Sequence, residues 1–474
     1  MSNQPGVTLT MTDEHHALLK KHLFPTDGCE AVALALCGRR AGNVTHRLLV
    51  REVHPVPYSQ CEERSPVRVT WNSDFLAPIL DRAEEEDLAV VKMHSHRTNY
   101  RQFSETDDDA DNDLLPCVAG WVGSPFPHAS AVMLPDGSIF GRVFWSGIGW
   151  MPLQSINVVG PDLQFWAHDN QQGLGSANGW QQLQAFGEGT TRLMRGLTIG
   201  VVGCSGTGSI VIEQLARLGA GRLVLVDDDR MADRNLGRVL NSTEEDARVG
   251  RPKVELLAAA IGRLAPSISV RVLCRNLWDR EAVEAVAECD VVFGCMDSHE
   301  GRFLLNILAT FYLIPYFDLG VRLDATGLIT SGSIREACGT VHFLQPGRSS
   351  LMSRGLVSLD RVQEEGLRRK DPLAYLQQVE DGYILGVEVQ RPAVISINMF
   401  AASLAVNDLL ARLHPYREEP NSNIASLEFS LASLDLFCEP ESSPCPLLSG
   451  RSGLGDIEPR LGLTELSRPP ATHE

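Results

Sequence analysis

The sequence predicts an α/β chain of two domains: a compact N-terminal α/β domain and, after it, a Rossmann-like, doubly wound one. Three observations predict this. From "GLTIGVVG" onward, short apolar runs alternate with helix-length amphipathic windows, as a parallel sheet covered on both faces requires. Ahead of that, short apolar runs are bounded by glycine, charge or turn residues, which suits buried strands of a smaller domain. Between the two lies "HDNQQGLGSANGWQQ", a Gly/Asn/Gln-rich stretch that reads as a linker. The boundaries placed on this basis are 1–152 for the first domain, 153–190 for the linker and a lead-in helix, 191–460 for the second domain and 461–474 for a tail.

In chain order, residues 29–50 ("CEAVALALCGRRAGNVTHRLLV") and 88–93 ("LAVVKM") are buried strands, and "ASAVMLP" and "IFGRVFW", separated by "DG", are two more. In the second domain "GLTIGVVG", "RLVLVDDD", "DVVFGCMDS" and "PYFDLGV" are strands, with "SIVIEQLARLGAG" and "VELLAAAIGRLA" as helices between them. Residues 394–412, "VISINMFAASLAVNDLLAR", have helical apolar spacing with small residues suited to close packing, and read as a core helix without a site. The tail "LSRPPATHE" is expected to fray.

Composition excludes several classes. A formal charge of −18 would repel a polyanion, so no nucleic-acid partner is expected and a small basic or neutral protein fits better. No stretch approaches about twenty uninterrupted apolar residues, so no membrane span is expected. The opening residues lack a basic segment followed by an apolar one, and the expected location is cytoplasmic. The 11 cysteines are odd in number and contain no C-x-x-C pair, so neither a disulfide framework nor a thiolate zinc ribbon is signalled.

The segment "HSHRTNYRQFSETD" carries the first chemical signal. His94 and His96 alternate at a strand end, so both rings point the same way. Asp107 follows 11 residues after His96, far enough for the chain to turn back and offer a third ligand. Two imidazoles and a carboxylate leave a tetrahedral zinc with an open fourth position, the arrangement of a catalytic site. Ser104 can hydrogen-bond the water there or a developing oxyanion. Asp108, Asp109 and Asp111 read as a solvated acidic face. The spacing H-S-H, seven residues, Ser, two residues, Asp resembles the signature of the JAMM/MPN (JAB) zinc metalloproteases. That family places a glutamate at the start of an early E-x-x-x-L-x-L-x-G element. Here "EAVALALCG" supplies Glu30, and the resemblance implies that Glu30 is the general base toward the zinc-site water.

The second signal is "GVVGCSGTGS", an apolar strand entering a glycine-rich turn and a helix, where backbone N–H groups can hold phosphate. Its glycines are Gly203, Gly206 and Gly208, and the next strand ends in acids at Asp227 and Asp229, where a carboxylate can take ribose hydroxyls. Asn235, Arg238, Lys253 and Asp297 follow, and the cationic pair suits a triphosphate better than a hydride-transfer cofactor. This series is similar to the ThiF/MoeB/E1 family, which adenylates the C-terminal glycine of ubiquitin-like proteins. The resemblance implies ATP and Mg²⁺, with Asp229 on the ribose, Arg238, Lys253 and Asn235 at the phosphates, and Asp297 on the magnesium side.

Departures from that family are visible. Ser205 replaces the second glycine of its usual loop. The arginine that relatives place before an "FG" is missing from "WQQLQAFGEG", which leaves Arg192 or Arg195 to substitute. Of the cysteines of its zinc knuckle only Cys445 remains, so no structural zinc is expected. Where relatives carry an acyl-accepting cysteine, this chain offers Ser350 and Ser353, with Cys338 upstream. A serine is a much weaker nucleophile at neutral pH than a partly ionised thiol, so an ester on Ser353 or Ser350 needs activation by the acyl-adenylate.

The combined resemblance is to a JAB–E1 fusion of a prokaryotic ubiquitin-like system. It would cleave after the modifier's C-terminal glycine and adenylate the exposed carboxylate. The partner implied is the tail of a ubiquitin-like protein, with an E2-like protein or a sulfur donor downstream and a homodimer as the family's habit. Two other readings stand beside it: a sulfur-carrier activator making a thiocarboxylate, and a non-catalytic module that binds ubiquitin-like tails.

Overall fold

The computed structural model describes residues 4–42, 44–168, 180–326, 333–380 and 394–468. The chain divides into two units. One comprises Met1–Leu174 with Phe311–Leu313 and Arg451–Gly462; the other comprises Gly175–Thr310, Ile314–Gly450 and Leu463–Glu474.

The first unit contains the strands β1 (Gly6–Thr12), β2 (Val32–Arg40), β3 (Thr45–Pro55), β4 (Cys61–Ser65), β5 (Arg68–Trp71), β6 (Ala89–Ser95), β7 (His128–Met133), β8 (Ile139–Trp145), β9 (Gly149–Pro152), β10 (Ser155–Val159) and β11 (Leu163–Ala167). Its helices are α1 (Asp13–Leu23), α2 (Ala77–Glu85) and α3 (Glu105–Val122). Nine strands form one sheet in the order β11-β10-β1-β3-β2-β6-β7-β8-β9, and β4 and β5 form a separate hairpin.

Side-chain alternation explains why β2 reads as one apolar run. Ala33, Ala35 and Cys37 face the core that α1 covers with Leu19 and Leu23, whereas Leu34 and Leu36 face Ile79, Leu80 and Ala83 of α2 and Val118 and Val122 of α3. The same alternation divides β6. Val91 and Met93 enter the α1-side core and Val90 the α2/α3-side cluster, so Lys92 and His94 share the face of Val90. Residues 153–167, read in the sequence as part of the linker, instead form β10 and β11: β10 pairs parallel to β1 and β11 antiparallel to β10. Five-residue strands such as these carry too few alternations to stand out in a sequence.

The second unit contains α4 (Trp180–Gly196), β12 (Thr198–Val202), α5 (Gly206–Arg217), β13 (Arg222–Val226), α6 (Glu244–Arg248), α7 (Lys253–Leu264), β14 (Ser269–Leu273), α8 (Arg280–Val286), β15 (Val291–Gly294), α9 (His299–Phe311), β16 (Tyr316–Thr326), β17 (Ser333–Leu344), α10 (Leu359–Lys370), α11 (Pro372–Glu380), α12 (Ile395–Leu413), β18 (Ser426–Ser430) and β19 (Asp435–Glu439). Its sheet runs β14-β13-β12-β15-β16-β17-β18-β19. The strands from β14 to β16 are parallel and those from β16 to β19 antiparallel, a half-sheet the sequence pattern did not reveal. Strand order reverses between β12 and β15, and a crevice at the carboxyl ends of the strands opens at such a switch point. Helix α12 is buried along most of its length and packs on α5, as its spacing predicts. No helix among the described residues is long and apolar enough to cross a membrane.

Candidate functional site

Strand β6 is buried throughout, and it delivers His94 at 2 % exposure and His96 just beyond its end at 8 %. Asp107 comes from the first turn of α3, and a reciprocal capping box fixes it there. Ser104 Oγ accepts from the Asp107 N–H at 3.2 Å, while Asp107 Oδ2 accepts from the Ser104 N–H at 2.8 Å and from its hydroxyl at 2.7 Å. The hydroxyl of Ser104, expected at the reacting oxygen, is thus spent on Asp107. Asp107 Oδ1 lies 2.9 Å from His94 Nε2 and its Oδ2 lies 3.2 Å from His96 Nε2. One donor atom from each of the three residues falls within 4.8 Å of the others. His96 Nδ1 faces the Tyr100 carbonyl oxygen at 3.0 Å, which fixes the tautomer that leaves Nε2 as a ligand.

Both ring nitrogens of His94 are buried without a hydrogen-bond partner, close to Asp107 but off the bonding direction. Burial holds the His94 ring below its usual pKa, so it is neutral at pH 7, the form a metal takes. Burial alone would raise the Asp107 carboxyl, but the His94 and His96 rings beside it and the Ser104 hydroxyl hold it well below the carboxylate range. A neutral, orphaned imidazole beside a second imidazole and an ionised carboxylate fits Zn²⁺.

Glu30 is 7 % exposed, and with His94, Asp107 and the hairpin residues Arg68–Trp71 it lines a cleft of about 370 Å³. Burial raises its carboxyl to about 7. The hairpin holds its backbone: the Glu30 N–H donates to the Ser65 carbonyl at 2.8 Å, and Arg64 Nε donates to the Glu30 carbonyl at 3.1 Å. Arg64 is itself fixed by a fork on Asp27 and by the Tyr58 ring, 4.0 Å below its guanidinium.

The expected acidic face is corrected at one position. Asp111 is fully buried, taking Lys92 Nζ on Oδ1 at 2.7 Å and Arg142 Nη2 on Oδ2 at 2.6 Å. Asp108 pairs with the same Arg142, and Asp109 remains exposed.

In the second unit, Gly203 stands at φ +91° at the end of β12, and a Cβ at Gly208 would lie 1.8 Å from the Gly203 carbonyl oxygen. The loop is closed from the next strand by Asp227, which accepts from the Cys204 N–H at 2.6 Å and the Asp229 N–H at 2.8 Å. Burial raises the Asp227 carboxyl. Lys253, 2 % exposed, donates to the exposed Asp229 at 2.6 Å. Asn235 is buried and accepts from the Ala232 N–H at 3.0 Å, holding the turn that carries Arg238. Arg238 reaches the glycine loop, its Cδ lying 3.5 Å from where a Gly206 Cβ would stand. Arg238 Nε and Ser205 Oγ are both buried donors without a partner. Two orphaned donors beside a bare glycine loop fit a polyphosphate. Asp297 is exposed just past β15, in the turn whose Cys295 carbonyl packs against Gly203.

Ser350 is fully buried and its Oγ accepts from the Ser353 N–H at 3.1 Å. Ser353 is exposed, its Oγ accepting from the Ser350 N–H at 2.9 Å. Burial raises the Cys338 thiol, which lies on β17. Sequence reasoning missed Arg64, Lys92 and Arg142, whose partners are remote in the chain. It also missed Asn398 of α12, whose side-chain nitrogen would lie 2.3 Å from a Cβ at Gly206. Asn398 is a polar residue inside an apolar helical window, the one signal that could have found it.

Residues 180–444 match the ThiF family, and residues 12–145 match the prokaryotic homologs of the JAB domain. The SAMP-activating enzyme E1 of Haloferax volcanii is 38% identical over 128 residues, covering 27% of this chain and 46% of that protein. The ubiquitin-like modifier-activating enzyme 5 of Culex quinquefasciatus is 25% identical over 212 residues, covering 42% of this chain and 50% of its own length. The chain thus spans about half the length of these relatives. Among solved structures, Escherichia coli MccB with ATP is 16% identical at a TM-score of 0.42, covering 60% of this chain and 75% of that one.

Proposed function

The chain belongs to the ThiF family, and from that premise we propose that it is a bifunctional enzyme of a prokaryotic ubiquitin-like system. Its second unit adenylates the C-terminal glycine of a ubiquitin-like protein with ATP and Mg²⁺. Its first unit is a zinc-dependent peptidase or isopeptidase that cleaves after that glycine. The observation that carries the reading is the coexistence of two sites, each with orphaned donors or ligands suited to its group: His94 beside His96 and Asp107, and Arg238 beside the glycine loop.

In the adenylation site, Gly203, Gly206 and Gly208 admit the phosphates, and Asp229 takes the ribose hydroxyls. Arg238 and Lys253 offset the charge that develops as the modifier carboxylate attacks the α-phosphate and pyrophosphate leaves. Lys253 meets the nucleotide by leaving Asp229, and Asp297 faces the magnesium side. Acyl transfer goes directly to a partner or through Ser353, the exposed member of the serine pair.

In the peptidase site, His94, His96 and Asp107 hold zinc, which when bound polarises the scissile carbonyl and acidifies water. Glu30 takes the proton of the attacking water and returns it to the leaving amine. The hairpin strand β5 forms the wall of the cleft along which the modifier's tail lies.

Exchange of labelled pyrophosphate into ATP tests the reading. Exchange is expected only with a modifier ending in glycine, and it is expected to be lost in Arg238→Ala. No exchange with an authentic modifier would overturn the adenylation half.

A further inference from the structure

Helix α3 and strand β6 run antiparallel, and their polar contacts form matched rungs. Lys92 Nζ meets Asp111 Oδ1 at 2.7 Å, and His94 Nε2 meets Asp107 Oδ1 at 2.9 Å. Two residues along a strand advance about 6.6 Å, and four along a helix about 6 Å, so the steps 92 to 94 and 111 to 107 are nearly commensurate. A ladder with this spacing keeps one rung in register when the other is in register.

The Lys92–Asp111 rung is dry. Lys92 is 4 % exposed and Asp111 is 0 %. The second oxygen of Asp111 is taken by Arg142, through Nε at 3.1 Å and Nη2 at 2.6 Å. Arg142 also pairs with Asp108, one residue beyond Asp107. Its guanidinium lies 3.8 Å from the centroid of Phe103, just ahead of α3, and 4.5 Å from that of Trp150 on β9, so these two rings hold it in place. A buried charge cluster of this kind is poor evidence for stability, because desolvation offsets most of the attraction, but it specifies one arrangement strongly.

The geometry points to Lys92, Asp111 and Arg142 as positioning residues that preform the zinc site, by fixing the register of α3 on β6 so that Asp107 meets His94 and His96. The inference rests on the reading of His94, His96 and Asp107 as zinc ligands. It assigns a function to charges that touch neither zinc nor substrate, and it explains why a lysine lines the cleft with its ammonium turned away to Asp111. Without the clamp, zinc would have to order α3 as it binds, and that ordering would weaken its affinity.

The test is a titration of the full-length apo-protein with Zn²⁺ against a chromophoric chelator, counting only the uptake that His94→Ala removes. The double variant Lys92→Met/Asp111→Leu removes both charges of the dry rung together and keeps its volume apolar, and Arg142 retains its ion pair with Asp108. It is expected to raise the zinc dissociation constant about 10–100-fold while the apo-protein still unfolds cooperatively. Arg142→Met, at a partly exposed position, is the second variant and is expected to raise it about tenfold. A merely structural role would lower the apo unfolding midpoint and leave zinc affinity unchanged. Unchanged affinity in a folded double variant, or in Arg142→Met should the double variant not fold, overturns the inference while leaving the metal centre standing. A wild-type protein that takes up no zinc sensitive to His94→Ala overturns both.

Discussion

A methyl group at Gly208 would stand 1.8 Å from the backbone oxygen of Gly203, and no rotamer relieves a clash with backbone. Gly208→Ala is therefore expected to lose nucleotide binding and about 1–3 kcal/mol of stability, measured by ATP titration and urea unfolding. Ser205 is the contrasting case. Its hydroxyl is buried without a partner, so Ser205→Ala is expected to leave the free protein as stable as before or more so. The same change should weaken ATP binding about fivefold, the equivalent of about 1 kcal/mol for one lost hydrogen bond. Calorimetric titration checks both, and unchanged ATP affinity would remove Ser205 from the phosphate site. At this scale the sequence was legible where chemistry follows local spacing. His94 and His96 alternate on one strand, and Ser104 and Asp107 sit three apart at a helix start. It was not legible for Asp111, whose neighbours Asp108 and Asp109 suggest a solvated face while its partners Lys92 and Arg142 lie 19 and 31 residues away.

The elements carry these residues, and α3 shows how its first turn serves structure and site together. Ser104→Ala removes the acceptor for the Asp107 N–H and the hydroxyl donor to its carboxylate. The expected result is a loss of about 1 kcal/mol in stability and a several-fold weaker zinc affinity, whereas Ser104→Thr, which keeps both bonds, should retain both. Chelator competition and thermal unfolding of the two variants separate this role from that of a hydroxyl on the reacting oxygen, since removing only the latter would change turnover and leave zinc affinity alone. The parallel strands β12, β13 and β15 were legible because each is a short apolar run followed by a helical window, whereas β14, a five-residue run interrupted by Arg271, was not read. The antiparallel half from β17 to β19 was not: β19 is exposed along its whole length and carries no alternation to read. The strands β10 and β11 were hidden by a neighbouring polar stretch that made the whole region look like a linker.

Over the whole molecule, buried histidines contribute a loss of stability in acid. Burial depresses His46 and His128 to about 3, with Arg39 adding to the effect in both cases. Above the unfolded value of 6.5 both states are neutral and the histidines contribute no pH dependence. Below it the unfolded chain takes up protons that the folded chain refuses, so stability falls as the pH drops from 6.5 toward 3, by about 1.4 kcal/mol per pH unit for each histidine. His128 Nδ1 accepts from the Val90 N–H at 3.0 Å, a bond an asparagine oxygen can replace. The stability of His128→Asn is thus expected to fall less steeply between pH 6 and 4.5 than that of the wild type, by about 1.4 kcal/mol per unit, and equal slopes in urea unfolding would refute the assignment. The central claim is that one chain trims a modifier and then charges the carboxylate it has exposed. The most direct measurement is pyrophosphate release with ATP, Mg²⁺ and Zn²⁺ from two forms of the modifier, one ending in its glycine and one extended beyond it. The wild type is expected to release pyrophosphate from both, and Glu30→Gln from the trimmed form alone. Release from the extended form that survives Glu30→Gln, or a wild type that charges only the trimmed form, would contradict the account.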